Sequence, residues 1–269
     1  MTKKGGNVIL RRRARKPDHV PHPSVKRSRP PERTPPPPPA QAPPQAAIPV
    51  KPLPPKRKRK VRPRHKDKHP ILILAAGTEV AWEKKIGTAK QLLPMDGDTV
   101  LGRIIRQVRE RGVEPILVTH REDFVNTAKD VVHYEPASRN TIADTILNTQ
   151  DLWAGQTVIL LGDTVFGNAT LNMILAHRGP FTAFGNSSEI FAFSFNDDSH
   201  EHFISTLEKT IADPHCWKAS PWQIYRIYCG KRPDQSYIDK YTFEFARDAT
   251  GDIDSLQEYN AMRKIAGGL

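Results

Sequence analysis

From residue 70 onward the apolar positions alternate between two kinds of spacing. Ile71-Leu72-Ile73-Leu74-Ala75-Ala76 is an unbroken apolar run closed by Gly77, the form of a buried parallel strand running into a loop. After Asp98, which can cap a helix, Val100, Leu101, Ile104, Ile105 and Val108 recur at helical spacing until Gly112 stops them. Residues 115–118 then read as a strand, 122–129 as a short helix, 131–133 as a strand, 141–153 as a helix and 157–161 as another buried strand. This β-α-β-α-β-α-β order predicts an α/β fold with a mostly parallel central sheet and helices on both faces. Later strands are expected at 182–184, 190–195, 224–228 and 242–245, with helices over 201–212 and 255–264. Because these later strands lack a helix between each pair, an antiparallel addition to the sheet is expected.

Composition changes this picture at the amino terminus. The net charge of +12 is unevenly spread over the 269 residues. Residues 1–69 hold 21 Lys and Arg against three acids, a charge of +18, while the remainder holds 20 against 26, a charge of −6. Eighteen of the 25 prolines lie in the first 70 residues. Such a segment buries too little apolar surface to offset chain entropy, so 1–69 is expected to be a disordered basic, Pro-rich tail, with 70–269 as the folded domain. The basic clusters at 11–16 and 56–68 flank Pro35–Pro39 and suit attachment to a polyanion such as nucleic acid through phosphates. The competing reading is a solvated linker or targeting arm. No apolar run is long enough to span a membrane, and the basic start lacks the apolar core of a secretory signal. Cys216 and Cys229 form no metal-ligand pattern and read as free thiols, consistent with a reducing, cytoplasmic compartment.

Ligands of open α/β sheets bind beyond the carboxyl ends of the strands, and three segments fall there. After Leu74, the small residues Ala75-Ala76-Gly77 allow close approach to backbone, and Lys90 can supply a mobile charge to phosphates; the bland alternative is a tight turn and a surface lysine. Neither phosphate-loop nor dinucleotide glycine spacing is present. Asp163, closing the 157–161 strand, can hold Mg²⁺ or cap a turn. Asp254 can be a helix N-cap or a second metal ligand opposite Asp163. Arg139 and Asn140 suit either a helix start or contacts to a base or acceptor phosphate. The cluster His215, Cys216, Trp217, Lys218 and Trp222 suits a late core patch or an aromatic cage for a quaternary ammonium.

These segments carry a family resemblance. Leu74–Gly77 with Lys90, Leu92 and Pro94 resembles the L-A-A-G-x-G-x-R … K-x-L-x-P opening of the GT-A-like nucleotidyltransferases, the molybdenum-cofactor, sugar-phosphate and choline-phosphate transferring enzymes. Asn140-Thr141, Gly162-Asp163 and Asp252-Ile253-Asp254-Ser255 followed by Glu258-Tyr259 resemble later segments of the same family, in the same order. The resemblance implies a Rossmann-like GT-A fold and transfer of a nucleotide from an NTP to a phosphorylated small molecule. It implies that Leu74, Ala75, Ala76, Gly77, Asn140 and Thr141 bind the nucleotide, that Lys90 neutralises phosphates, and that Asp163 and Asp254 hold Mg²⁺. The family's second glycine is Glu79 here, and its arginine falls at Ala81 or Trp82, with Lys84 and Lys85 as the nearest replacement charges. That departure keeps two other readings in view: a GT-A glycosyltransferase using a sugar nucleotide, and a retired nucleotidyltransferase domain used as a binding module.

Overall fold

The computed structural model describes residues 69–77, 80–216 and 218–266. The tail, except His69, lies outside the described residues, as do Thr78, Glu79 and Trp217.

The elements follow in the order β1 (Ile71–Leu74), α1 (Val80–Ile86), β2 (Pro94–Met95), β3 (Asp98–Thr99), α2 (Val100–Arg109), β4 (Ile116–Val118), α3 (Glu122–Thr127), β5 (Val132–Tyr134), α4 (Ile142–Asn148), β6 (Thr157–Leu161), β7 (Thr164–Val165), α5 (Asn168–Ala176), β8 (Thr182–Gly185), β9 (Ile190–Phe195), α6 (His200–Ala212), α7 (Pro221–Tyr228), β10 (Phe243–Phe245), β11 (Gly251–Asp252) and α8 (Leu256–Ala266). Seven strands form the central sheet in the order β10-β8-β9-β6-β1-β4-β5. Six run in one direction; β9 runs against both its neighbours, β6 and β8. The antiparallel addition expected from the missing crossover helices is therefore one reversed strand inside the sheet.

Alternate residues of β1 feed two cores. Ile71 and Ile73 pack with α2, α5 and Tyr259 of α8. Leu72 and Leu74 pack with α4, α6 and α7. The sheet is thus covered on both faces, which is why β1 reads as a continuous apolar run rather than an alternating one.

Three expectations are corrected. Ile224–Tyr228 is helical, within α7, not a strand. Its β-branched and aromatic residues suggest a strand, but Ser220 and Gln223 form a reciprocal capping box around Pro221, and that start signal prevails. Buried Ile224 and Tyr225 with half-buried Tyr228 then follow helical spacing. Asp98 does not cap α2: Thr99 does, accepting from the Gly102 amide at 2.9 Å. Asp98 lies in the small β2–β3 hairpin, whose Asp96-Gly97 turn has both residues at positive φ, as a tight two-residue hairpin turn requires. The 141–153 helix is also shorter than expected, with a 3-10 turn over Gln150–Leu152 following α4.

Candidate functional site

A cleft of about 740 Å³ opens at the carboxyl ends of β1 and β6. One side is made by the β1 terminus. The Ala75 amide donates to Val118 O at 2.9 Å and Thr119 Oγ1 donates to Ala75 O at 3.0 Å, holding Ala75 and Ala76 buried against β4. Gly162 brings β6 close alongside: a Cβ there would stand 2.7 Å from Leu74 O, and its amide donates to that oxygen at 2.9 Å. Gly162 is therefore required by close approach, and it sets where Asp163 enters the cleft. Gly77 is the reverse case, since a Cβ there would meet nothing within 4 Å.

The same wall continues into α4. Thr141 is its N-cap, accepting from the Asp144 amide at 3.1 Å. Asp144 in turn accepts from the Asn140 amide at 3.1 Å and from Ser138 Oγ. Asn140 and Thr141 thus have a capping role and also line the cleft, as does Arg139. Arg139 is exposed, with Glu135 at 4.0 Å.

The opposite wall is acidic. A short antiparallel ladder pairs Thr164 with Asp252 and Val165 with Gly251, which lays the 251–254 segment beside Asp163. Buried Arg103 and Gln107 of α2 both donate to Phe166 O, at 2.7 and 3.1 Å, and pin the turn that carries Asp163. Glu189 arrives from the β8–β9 hairpin. Asn186 Oδ1 accepts the amides of Ser188 and Glu189 there, and Gly185 is needed because a Cβ would stand 2.0 Å from Glu189 O. Asp163, Asp252, Asp254 and Glu189 all line the cleft.

Asp254 is not the cap of α8. Ser255 caps it, accepting from the Glu258 amide at 3.1 Å, while Glu258 accepts from the Asp254 amide and Ser255 Oγ at 3.0 Å. The Asp254 carboxylate instead accepts from Lys90 Nζ at 2.6 Å. Lys90 is only 4% exposed and its ammonium lies 5.5 Å from the Trp82 ring centre. It is therefore not a surface lysine but a buried one held in an ion pair, because the segment preceding β2 turns inward there.

Asp252 is strongly affected by its surroundings. Burial raises it first, then repulsion from Asp254, Asp163 and Glu189, and it is pushed up to about 8. Its Oδ1 is buried without a hydrogen-bond partner. Among the described residues, no three of His, Cys, Asp and Glu are gathered tightly enough to enclose a metal alone. Mg²⁺ commonly takes only one or two carboxylates and completes its shell with phosphates and water, so the acidic donors and the orphaned oxygen fit such an ion.

Leu74, Ala75, Ala76, Gly77, Arg139, Asn140, Thr141, Asp163 and Asp254 therefore border this cleft, and Lys90 pairs with a residue that does, whereas Lys84, Lys85, His215 and Cys216 do not line it. Asp252, Glu189 and Gln91 are additions. Asp252 was visible in the D-x-D segment; Glu189 had no local signal, since only the hairpin brings it in. Lys218 and Trp222 line the far end. Trp222 donates to Ser188 O at 2.7 Å and stacks on Phe243 at 5.4 Å and 13°, so it is partly core, as expected of a late core patch. Trp217 lies outside the described residues. Both cysteines are free thiols. No described helix is long and apolar enough to cross a membrane.

No protein-family model and no curated protein matches the sequence. Solved structures do match the fold. The CTP:phosphocholine cytidylyltransferase of Streptococcus pneumoniae superposes with a TM-score of 0.52 at 15% identity, over 73% of this chain and 98% of that one. An inositol-1-phosphate CTP transferase from T. maritima gives 0.52 at 12%, over 77% and 99%. A UDP-glucose pyrophosphorylase complexed with UDP-glucose gives 0.53 at 12%, over 74% and 97%. With its mostly parallel seven-stranded sheet and one reversed strand, this chain has a nucleotidyltransferase fold.

Proposed function

We propose that this protein transfers a nucleotidyl group from an NTP to the phosphate of a small molecule. The observation that carries the reading is the meeting of Asp163 and Asp254, 91 positions apart in the sequence, in one cleft beside the Leu74–Gly77 turn. An oxygen of the acceptor phosphate attacks the α-phosphorus; the new P–O bond forms as the bond to the β-phosphate oxygen breaks, and pyrophosphate leaves. Little covalent chemistry falls to the protein in such a step, so positioning and charge neutralisation carry it.

The Leu74–Gly77 backbone and the Asn140-Thr141 helix start would receive base and ribose. Lys90 would bind phosphate once its pair with Asp254 opens. Asp163 and Asp254 would hold Mg²⁺, which when bound supplies charge neutralisation for the triphosphate oxygens. Arg139 and Lys218, at the rim, suit the acceptor phosphate. Residues 1–69 we read as an attachment arm for a polyanion.

Pyrophosphate release from each NTP with a panel of sugar, polyol and amino-alcohol phosphates tests the reading. Release that needs both an NTP and an acceptor phosphate supports it. A second reading, a domain that binds nucleotide without turnover, is favoured by the missing loop arginine and would show binding with no release. Hydrolysis of sugar nucleotides in preference to NTPs would point to a glycosyltransferase.

A further inference from the structure

The chain makes a strong contact between two groups that the proposed reaction needs apart. Lys90 Nζ lies 2.6 Å from Asp254 Oδ1, and the two residues are 164 positions apart in the chain. The pair is lopsided: Lys90 is 4% exposed and Asp254 is 65% exposed. Trp82 helps hold the lysine, with its ring centre 5.5 Å from the ammonium and its body packed on the core. Trp82 stands in the region where the resembled family carries its loop arginine.

An ammonium and a divalent cation cannot both occupy the same face of one carboxylate. We infer that in the ligand-free protein the Lys90 ammonium stands in for the divalent cation on Asp254, so that cation and nucleotide must enter together. The nucleotide's phosphates draw Lys90 off Asp254, and the vacated carboxylate accepts the ion that comes with them. This rests on the nucleotidyltransferase reading of the cleft and adds an order of binding to it. The acidic surroundings explain why a resident cation is needed at all: Asp163, Asp252, Asp254 and Glu189 share one cleft, and Lys90 compensates one of them until ligands arrive.

The prediction is that the cation binds weakly without nucleotide because it competes with Lys90. The test is titration of the full chain with Mn²⁺, followed by its paramagnetic signal, with and without a non-hydrolysable NTP. Lys90→Met keeps an unbranched apolar stem against Trp82 and leaves Asp254 largely hydrated, so the fold is not at risk from a stranded buried acid. Without nucleotide, Lys90→Met should bind Mn²⁺ about fivefold more tightly than the wild type, the size of a lost partly exposed ion pair. Lys90→Arg should bind like the wild type, and adding Asp254→Asn to Lys90→Met should remove the gain. Equal Mn²⁺ binding by Lys90→Met and wild type, or a gain that survives Asp254→Asn, overturns the inference while leaving nucleotide-dependent Mn²⁺ binding, and so the functional reading, intact. If Mn²⁺ binds neither protein even with every NTP present, the functional reading falls and takes the inference with it.

Discussion

The two walls of the cleft are built on opposite principles. The wall from β1 and the start of α4 carries no acidic group in the cleft: Leu74, Ala75 and Ala76 are buried, Thr141 satisfies the helix end, Gly77 leaves open space, and the one charge on it is the exposed Arg139. The facing wall gathers Asp163, Asp252, Asp254 and Glu189 from three distant stretches of chain, with Asp252 Oδ1 lacking a partner. The non-acidic wall costs the fold nothing and offers shape. The acidic wall stores repulsion that a cation, a proton or Lys90 relieves, the usual signature of a site kept for ligands rather than for stability.

That contrast predicts opposite mutational behaviour. The largest effect is expected on the acidic wall: Asp163→Asn should lower turnover by about 10²–10³-fold, as loss of one transition-state stabilising group does, with the melting temperature unchanged or raised. Activity close to wild type would remove Asp163 from the site. On the non-acidic wall, Gly77→Val should weaken NTP binding about tenfold, roughly 1.4 kcal/mol, yet shift stability by no more than about 0.5 kcal/mol because the added Cβ meets nothing. A large loss of stability would mean that Gly77 serves the fold instead.

Stored repulsion should also be visible without any ligand. A carboxyl whose folded value lies above its unfolded one favours folding at low pH, and that contribution is lost as pH rises through the folded value. Asp252 is such a group, pushed up to about 8 by burial and then by its acidic neighbours. With a chelator present, Asp252→Asn should melt higher than wild type at pH 8, by a few degrees at about 2–4 °C per kcal/mol relieved, and the gap should narrow as pH falls and close only below the unfolded carboxyl value, about pH 4. A variant that melts lower at pH 8 would contradict the account.

The smallest effect concerns support rather than chemistry. Asp248 caps α5 from a remote loop, accepting the amides of Ala169 and Thr170 at 2.8 and 3.2 Å and the hydroxyls of Thr170 and Thr250. Burial works to raise its carboxyl, but these hydrogen bonds outweigh it and hold it below the usual range. Its contribution is therefore present at neutral pH and lost as pH falls through the folded value. Asp248→Ala should cost about 1–2 kcal/mol at pH 7, read by denaturant melts, with the difference shrinking in acid.

Legibility in the sequence divided along the same line as the walls. The non-acidic wall lies in regular β-α-β territory, where β1, α2, β4 and β6 announce themselves by unbroken apolar runs and helical spacing. The acidic wall depends on long-range pairing: the Thr164–Asp252 ladder is only two residues long, and Glu189 is delivered by an Asn186 turn. Neither leaves a periodic trace. The helix α5 is apolar on several sides, so its spacing does not stand out, and in α7 composition suggested a strand while the Ser220–Gln223 box decided for a helix. Lys90 was found by its motif, but its burial and its pairing with Asp254 were not, because they follow from the path of the chain after α1.

The central claim is that the acidic wall exists to receive a cation together with a nucleotide. The most direct test is the melting temperature of the full chain with each of ATP, GTP, CTP and UTP, with and without Mg²⁺, in wild type and Asp163→Asn. Ligand that binds only the folded state must raise the melting point by mass action. The account predicts a rise with at least one NTP that requires Mg²⁺ and is lost in Asp163→Asn. No rise with any NTP, or a rise indifferent to both Mg²⁺ and Asp163, would contradict it.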